Sequence, residues 1–334
     1  MNGGRRAESP EREGRTMKAM LFDIQRNSYV DGPGIRTTVF FKGCNLRCGW
    51  CHNPESQRPE SQILYYRDKC AGCGRCRDAG DDPDFLCFHD AREVCGREYT
   101  VGEVWGIIER DRAYYDASGG GATFSGGECM LQLDFLEANL KKCRENGVHT
   151  AVDTAGCVPW ESFERILPWT DLFLYDLKCA SEDLHREGTG VSNRLILENL
   201  ARLAERRGDD LVVRIPVIPG FNASEEEMRK TAEILKGIRR RGTELLPYHG
   251  MGEHKYAALG RKAGAFRAPA KEETAAFEEI LKGAAAPQAP ASGIGGLRPE
   301  SACATIGEKK NNRRERRKDK ENDDGQSGTS EATV

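Results

Sequence analysis

The chain has 334 residues with 50 basic and 53 acidic side chains, a formal net charge of -3 and 13 cysteines. That length serves one large domain or two modest ones and can bury a full α/β core, while the near balance of charge implies no domain-wide basic surface and argues against nucleic acid as an obligatory partner. No run of about 18 apolar residues suggests a membrane span, and residues 1–16 (MNGGRRAESPEREGRT) lack the apolar stretch of a secretory signal. So many cysteines without such a signal point to metal or redox chemistry in a reducing cytoplasm rather than to disulfides.

Residues 1–16 read as a disordered extension, and Met17 opens ordinary globular sequence (MKAMLFDI) and could be the true start. Short apolar runs then predict strands at 36–43 (RTTVFFKG), 121–126 (GATFSG), 149–154 (HTAVDT), 172–178 (LFLYDLK), 211–218 (LVVRIPVI) and 244–249 (ELLPYH). Helical periodicity separates most of them, at 132–146, 160–167, 192–207 and 223–240, with a last helix near 271–282. The interval 52–100 breaks this rhythm, carries a second group of cysteines and hands over to a helix beginning near Thr100, so it reads as an insertion after the first strand. From Gly283 the composition turns to AAAPQAPASGIGG and then to a mixed-charge run, which predicts a disordered tail over 284–334. Strands alternating with helices argue for a parallel sheet with crossover helices. The expected fold is α/β, a partial parallel (β/α)6 barrel of the TIM-like kind with a cysteine-rich insertion, and the core is expected to span 17–283.

Reactive residues fall at strand ends. Cys44 follows the first predicted strand, Gly126, Gly127 and Glu128 the second, and Asp153 and Thr154 end the third. Asp176 and Lys178 end the fourth, Arg214 lies in the fifth and His249 ends the sixth. Parallel α/β barrels build their active sites from that face, so the pattern reads as a catalytic mouth. Taken singly, Asp153 and Asp176 could be helix caps and His249 a satisfied barrel-end histidine.

The stretch KGCNLRCGWCHNP (42–54) holds Cys44, Cys48 and Cys51. Soft thiolates at short spacing select zinc or iron–sulfur clusters, and a structural zinc site would close with a fourth Cys or His at standard spacing. His52 is too near Cys51 to chelate easily beside it. A cubane held by three cysteines instead leaves one iron open. The C-x3-C-x2-C spacing with Trp50 before the last cysteine resembles the signature of radical S-adenosylmethionine enzymes. DGPGIRTTVFFKGCNLRCGWCHNPES narrows the likeness to glycyl radical enzyme activating enzymes, the group that includes pyruvate formate-lyase activating enzyme. It continues in order through TFSGGECMLQ, VDTAG, LYDLK, TGVSN, RIPVIPG and LLPYHGMGEHKY, covering about residues 20–283.

The resemblance implies that Cys44, Cys48 and Cys51 ligate three irons of a [4Fe–4S] cluster whose fourth iron chelates S-adenosylmethionine. It further implies that Gly126, Gly127 and Glu128 receive the methionyl amino group. Asp153, Asp176 and Lys178 would position the methionyl and cation site, Arg214 and His249 would lie near the cofactor's carboxylate and ribose, and Trp50 would join the cofactor site. Asp31 and the loop through Arg36 would face an incoming protein substrate. The implied reaction is reductive cleavage to a 5′-deoxyadenosyl radical that takes hydrogen from a glycine Cα of a partner glycyl radical enzyme. A flavodoxin- or ferredoxin-type reductant is implied, and a monomer is expected. The competing readings are a small-molecule radical enzyme and a non-catalytic iron–sulfur electron carrier.

In the insertion, CAGCGRC supplies Cys70, Cys73 and Cys76, with Cys87 and Cys95 downstream. The spacing begins like a ferredoxin run but departs from it at Gly80. Five cysteines cannot fill two all-cysteine cubanes, so one auxiliary [4Fe–4S] cluster on Cys70, Cys73, Cys76 and Cys87 is expected, with Cys95 the rival fourth ligand and a zinc knob the alternative. Cys129, Cys143, Cys157, Cys179 and Cys303 read as buried inert thiols, although Cys129 and Cys157 flank turns and could line the mouth. His254 and Lys255 read as solvated or partner-facing. The region 260–268 (GRKAGAFRA), which departs from the family's usual ending, is expected not to touch the cofactor site.

Overall fold

The chain runs from a meander into a run of parallel strands in a computed structural model that describes residues 17–80, 82 and 85–283. The two extensions expected to be disordered, 1–16 and 284–334, and Cys303 within the second, lie outside the described residues. The strand β1 (Lys18–Ser28) pairs antiparallel with β2 (Arg36–Phe41). The insertion forms a separate antiparallel pair, β3 (Gln62–Tyr65) and β4 (Arg92–Cys95). Then β5 (Arg97–Thr100) returns to the outer side of β1, and α1 (Val101–Glu109) and α2 (Arg112–Ser118) lead into β6 (Gly121–Gly126).

From there strand and helix alternate: α3 (Leu133–Glu145), β7 (His149–Thr154), α4 (Trp160–Ile166), β8 (Leu172–Asp176), α5 (Glu182–Thr189) and α6 (Arg194–Arg207). They are followed by β9 (Leu211–Val217), α7 (Glu225–Lys236), β10 (Gly242–Pro247), α8 (Glu253–Ala258) and α9 (Lys271–Lys282). The eight-stranded sheet has the order β10-β9-β8-β7-β6-β2-β1-β5, and β2 and β6 to β10 are mutually parallel. This is the α/β partial barrel expected, with the insertion after the first parallel strand. The six predicted strands and the helices between them are present, with ends shifted by a few residues. The antiparallel additions β1 and β5 were not foreseen, because only the first half of β1 alternates between buried and exposed positions and β5 is short and charged.

Period-two alternation explains where side chains go. On β7, β8 and β9 the residues Val152, Phe173, Tyr175, Leu211 and Val213 join the large core beneath the helices. Their neighbours Ala151, Leu172, Leu174 and Val212 form a second apolar layer on the other face. One step further along that inner face stand Asp153, Asp176 and Arg214, with Asp176 directly opposite Arg214 in the ladder. Local signals agree with the tertiary result: Thr100 and Glu103 form a reciprocal capping box at α1.

Arg36 is wholly buried toward the N-terminal ends of the strands and donates to Thr123 Oγ1 (2.5 Å), the Ala122 carbonyl (2.6 Å) and the Pro33 carbonyl (3.1 Å). Burial pulls its guanidinium down to about 10. No helix among the described residues is long and apolar enough to cross a membrane.

Asp111, between α1 and α2, ties the first hairpin to the helices by accepting from Arg26 Nε (2.9 Å) and Thr37 Oγ1 (2.6 Å). Burial pushes its carboxyl up, and the bonds from Arg26 and Thr37 outweigh burial and hold it below 3.8. A depressed carboxyl contributes stability above its unfolded value that is lost as pH falls through the folded one. Asp111→Asn is therefore expected to cost about 1.5–3 kcal/mol at neutral pH. The difference from wild type should shrink below about pH 4, as read from urea midpoints across an acid series.

Candidate active site

The cysteine loop after β2 lies across the C-terminal ends of the parallel strands and is held from three directions. The turn after β6 provides the first hold: Glu128 N–H donates to the Gly43 carbonyl (2.8 Å), and Gly43 N–H in turn donates to the Ser56 carbonyl (2.7 Å). The end of α5 provides the second, where the carbonyls of Thr189 and Gly188 accept from Arg47 N–H (2.7 Å) and Gly49 N–H (3.1 Å). The third comes from the segment after β10, where Tyr256 donates its hydroxyl to the Cys51 carbonyl (3.0 Å) and Arg261 donates to Gln57 Oε1 (2.8 Å).

Cys44, Cys48 and Cys51 face a cavity of about 450 Å³ that is also lined by Gly126, Gly127, Asp153, Asp176, Lys178, Arg214, Trp50 and His249. The sequence-predicted residues are thus brought together, with Glu128 as an exception. Its carboxylate does not line the cavity but lies wholly buried behind the glycines, accepting from Thr154 Oγ1 (2.8 Å), Ala155 N–H (3.2 Å) and Met130 N–H (3.3 Å). Backbone, not carboxylate, is what this turn presents. A Cβ on Gly127 would come 2.2 Å from the Gly43 carbonyl oxygen, and Gly126 has φ +112 with no room for a side chain against Phe41.

The cavity floor is a largely enclosed chain of alternating charge, with Arg214 buried and its partners half-buried. Arg214 donates to Asp153 Oδ1 (2.6 Å) and Asp176 Oδ1 (3.1 Å), Lys178 donates to Asp176 Oδ2 (3.0 Å), and Ser125 donates to Asp153 Oδ2 (2.6 Å). Burial pushes the Asp176 carboxyl up, but Lys178 and Arg214 on either side outweigh it and hold the pKa down. At Asp153 burial prevails over Arg214 and the pKa is raised. Asn222 fixes the backbone beneath, donating to the Lys178 carbonyl (2.6 Å) and accepting from Ile218 N–H (2.8 Å).

On the apolar side Trp50 packs on Phe221 with the rings tilted by 34° and centroids 4.1 Å apart, and meets Phe266 edge-on at 6.1 Å. His249 stacks on His52 at 4.0 Å, and buried His52 Nε2 has no hydrogen-bond partner among the described residues. Asp31 lines the cavity, accepting from Ser28 Oγ and Thr38 Oγ1 (2.5 and 2.7 Å), whereas Arg36 is buried below it and does not reach the mouth.

Burial pushes the Cys44 thiol up to about 11 and Cys48 up to about 12, and raises Cys51 as well. Thiols raised in this way become thiolates against positive charge such as that of bound metal. Among the described residues no group of three His, Cys, Asp or Glu side chains is arranged to hold a single metal ion. Three soft donors spread around an open cavity beside bare glycine backbone fit a polynuclear iron–sulfur group with room for a small ligand.

Several contacts were not legible beforehand. Region 260–268 does touch the site, through Phe266 on Trp50 and Arg261 on Gln57, so the expectation that it stays clear is corrected. Lys255 is not solvated but paired with buried Glu55 at 2.6 Å. Cys129 and Cys157 do not line the cavity; Cys129 is buried and Cys157 packs beside the loop. No spacing rule signals these contacts, because each joins segments remote in sequence.

In the insertion, Cys70, Cys73, Cys76 and Cys87 surround a second cavity of about 240 Å³. Hydrogen bonds hold two of them below the usual thiol value: Tyr65 and Gly72 N–H on Cys70, and the N–H groups of His89 and Ala91 on Cys87. Cys95 is elsewhere, buried against Leu64 and Ala258, and burial pushes it up to about 11.

Residues 38–232 match the Radical SAM superfamily. The trans-4-hydroxy-L-proline dehydratase activating enzyme of Clostridioides difficile is 41% identical over 271 residues, which cover 74% of this chain and 89% of that protein. The indoleacetate decarboxylase activating enzyme of Tractidigestivibacter scatoligenes is 39% identical over 276 residues, covering 73% and 87% respectively. Among solved structures, a radical SAM methyltransferase from Sphaerobacter thermophilus shares the fold at a TM-score of 0.50 and 18% identity, covering 78% of this chain and 66% of that one. The chain belongs to the radical SAM superfamily and, within it, to the activating enzymes of glycyl radical enzymes.

Burial pushes Glu128 up to about 7, with the bonds from Thr154, Met130 and Ala155 only partly offsetting it. The folded state then binds its proton more tightly than the unfolded chain, so stability falls as pH rises from about 4.5 through about 7. Glu128→Gln is expected to remove that slope, which denaturant midpoints at about pH 5 and about pH 8 would reveal.

Proposed function

We propose that the protein installs a glycyl radical on a partner enzyme, with its active site in the cavity at the strand ends and its catalytic core over residues 17–283. Cys44, Cys48 and Cys51 would hold a [4Fe–4S] cluster with one open iron, and Gly126 and Gly127 would offer backbone to the amino group of S-adenosylmethionine. When bound and reduced, this pair supplies a 5′-deoxyadenosyl radical that removes hydrogen from a glycine Cα of the partner.

The remaining work falls to the chain's own side chains. Lys178 and Arg214 stand ready for an anionic carboxylate, while Asp153 and Asp176 keep both cations fixed and offset their charge. Trp50, with Phe221 and Phe266 behind it, and His249, backed by His52, form the walls that exclude water. Asp31 lies on the side of the cavity formed by the loop before β2, where a glycine segment would enter. The observation that carries this reading is the convergence of three thiols (Cys48 buried, Cys44 and Cys51 partly so), bare glycine backbone and the Asp–Arg–Asp–Lys chain on one cavity.

The insertion would hold one auxiliary [4Fe–4S] cluster on Cys70, Cys73, Cys76 and Cys87, supported by their shared cavity and by the exclusion of Cys95 from it. A flavodoxin- or ferredoxin-type protein would supply electrons to a cytoplasmic monomer.

Protein reconstituted with iron and sulfide without oxygen, then reduced and given S-adenosylmethionine, is expected to form 5′-deoxyadenosine, and Cys48→Ala to form none. A loaded, reduced wild-type protein that releases no 5′-deoxyadenosine, with or without a glycyl radical enzyme added, would overturn the proposal. Iron content separates the insertion's ligands: Cys87→Ser is expected to lose about one cluster's worth of iron and Cys95→Ser none.

A further inference from the structure

The segment after Cys51 is stabilised by charge from far along the chain. Glu55, four residues beyond Cys51, is 4% exposed, and its Oε1 lies 2.6 Å from Lys255 Nζ. The same ammonium donates to Asn53 Oδ1 at 2.9 Å. Lys42, wholly buried at the end of β2, donates to the Glu55 carbonyl at 2.5 Å. The other carboxylate oxygen, Oε2, is buried and has no hydrogen-bond partner among the described residues. Lys255 is thus the cation paired directly with a buried carboxylate, and buried Lys42 is a second positive charge beside it. Its chain neighbour Tyr256 donates to the Cys51 carbonyl, and Gly252 packs so closely on His52 that a Cβ there would come 2.6 Å from the His52 carbonyl oxygen.

We propose that Lys255 is a positioning residue for the cysteine loop: by neutralising Glu55 and bonding Asn53 it keeps residues 51–57 in the conformation that aims Cys51 into the cavity. This rests on the reading that Cys44, Cys48 and Cys51 hold a cluster. The pair also explains why the short α8 lies where it does, since it places Lys255 and Tyr256 on the same stretch of loop. Loss of Lys255 leaves a buried negative charge beside the loop, and the segment must move to hydrate it. Outer partners of metal ligands are worth 10–100-fold in metal affinity or activity when removed, which sets the scale expected here.

The test compares wild type with Lys255→Met, Lys255→Arg and the double variant Lys255→Met/Glu55→Gln. In reconstituted protein challenged with an iron chelator, Lys255→Met is expected to lose its visible absorption about 10–100-fold faster than wild type. Lys255→Arg should stay near wild type. The double variant should recover most of the loss, because removing the uncompensated charge relieves the fault although no packing is restored. Amide hydrogen exchange of residues 51–57 in cluster-free protein reads the same positioning without any metal, and should quicken in Lys255→Met and slow again in the double variant. Unchanged chelator resistance and exchange in Lys255→Met, or a double variant no better than the single, would overturn the inference. A wild type that takes up no iron at the three cysteines would sink the cluster reading instead, and the exchange measurement would still decide the role of Lys255.

Discussion

The site is built on Arg214 held between two half-buried carboxylates. Four charged groups on or just beyond neighbouring strands would be costly to enclose singly, and they are tolerated because each has an opposite neighbour within hydrogen-bond distance. Asp153 comes from β7, Asp176 from β8 and Arg214 from β9, with Ser125 of β6 attached to Asp153. The chain therefore pins four strand ends into one polar layer above the apolar layer of Ala151, Leu172, Leu174 and Val212. A one-residue slip of any of these strands would turn its charge into the helix-side core.

Above this floor the division of labour is between side chain and backbone. The cysteines supply side chains, while the turn after β6 supplies backbone and spends its one acidic side chain behind the cavity, where Glu128 braces Thr154 and Ala155. The glycines are needed at that turn because Gly43 and Phe41 approach within a distance that a Cβ would violate. The end of α5 shows the same logic: carbonyls left over at a helix terminus are satisfied by the N–H groups of Arg47 and Gly49, so the loop and the helix end complete each other.

The parallel strands, the mouth at their ends and the membership of Cys44, Cys48 and Cys51 in one site were legible because each rests on a local pattern: apolar runs, period-two alternation and short cysteine spacing. For the fourth cysteine of the insertion the sequence leaves Cys95 as the rival of Cys87, and it is Cys87 that lines the insertion's cavity. What could not be read were pairings across long stretches of chain. Lys255 looked like a surface lysine because nothing near it in sequence is acidic except Glu253, whereas its carboxylate partner is Glu55. Phe266 lay in a stretch without periodicity, so its contact with Trp50 had no local signal. Glu128 was legible as part of the turn, but the direction of its side chain depends on β7, which no neighbouring residue encodes.

The hold that Tyr256 has on Cys51 spans 205 residues. Translation at about 5–20 residues per second separates the appearance of these two residues by roughly 10–40 s. During that interval the three thiols have been made, yet the wall that closes behind them has not. The cavity is complete only once β10, α8 and the residues through Phe266 have left the ribosome and folded back. The closed wall behind the cysteines is therefore a property of the finished fold.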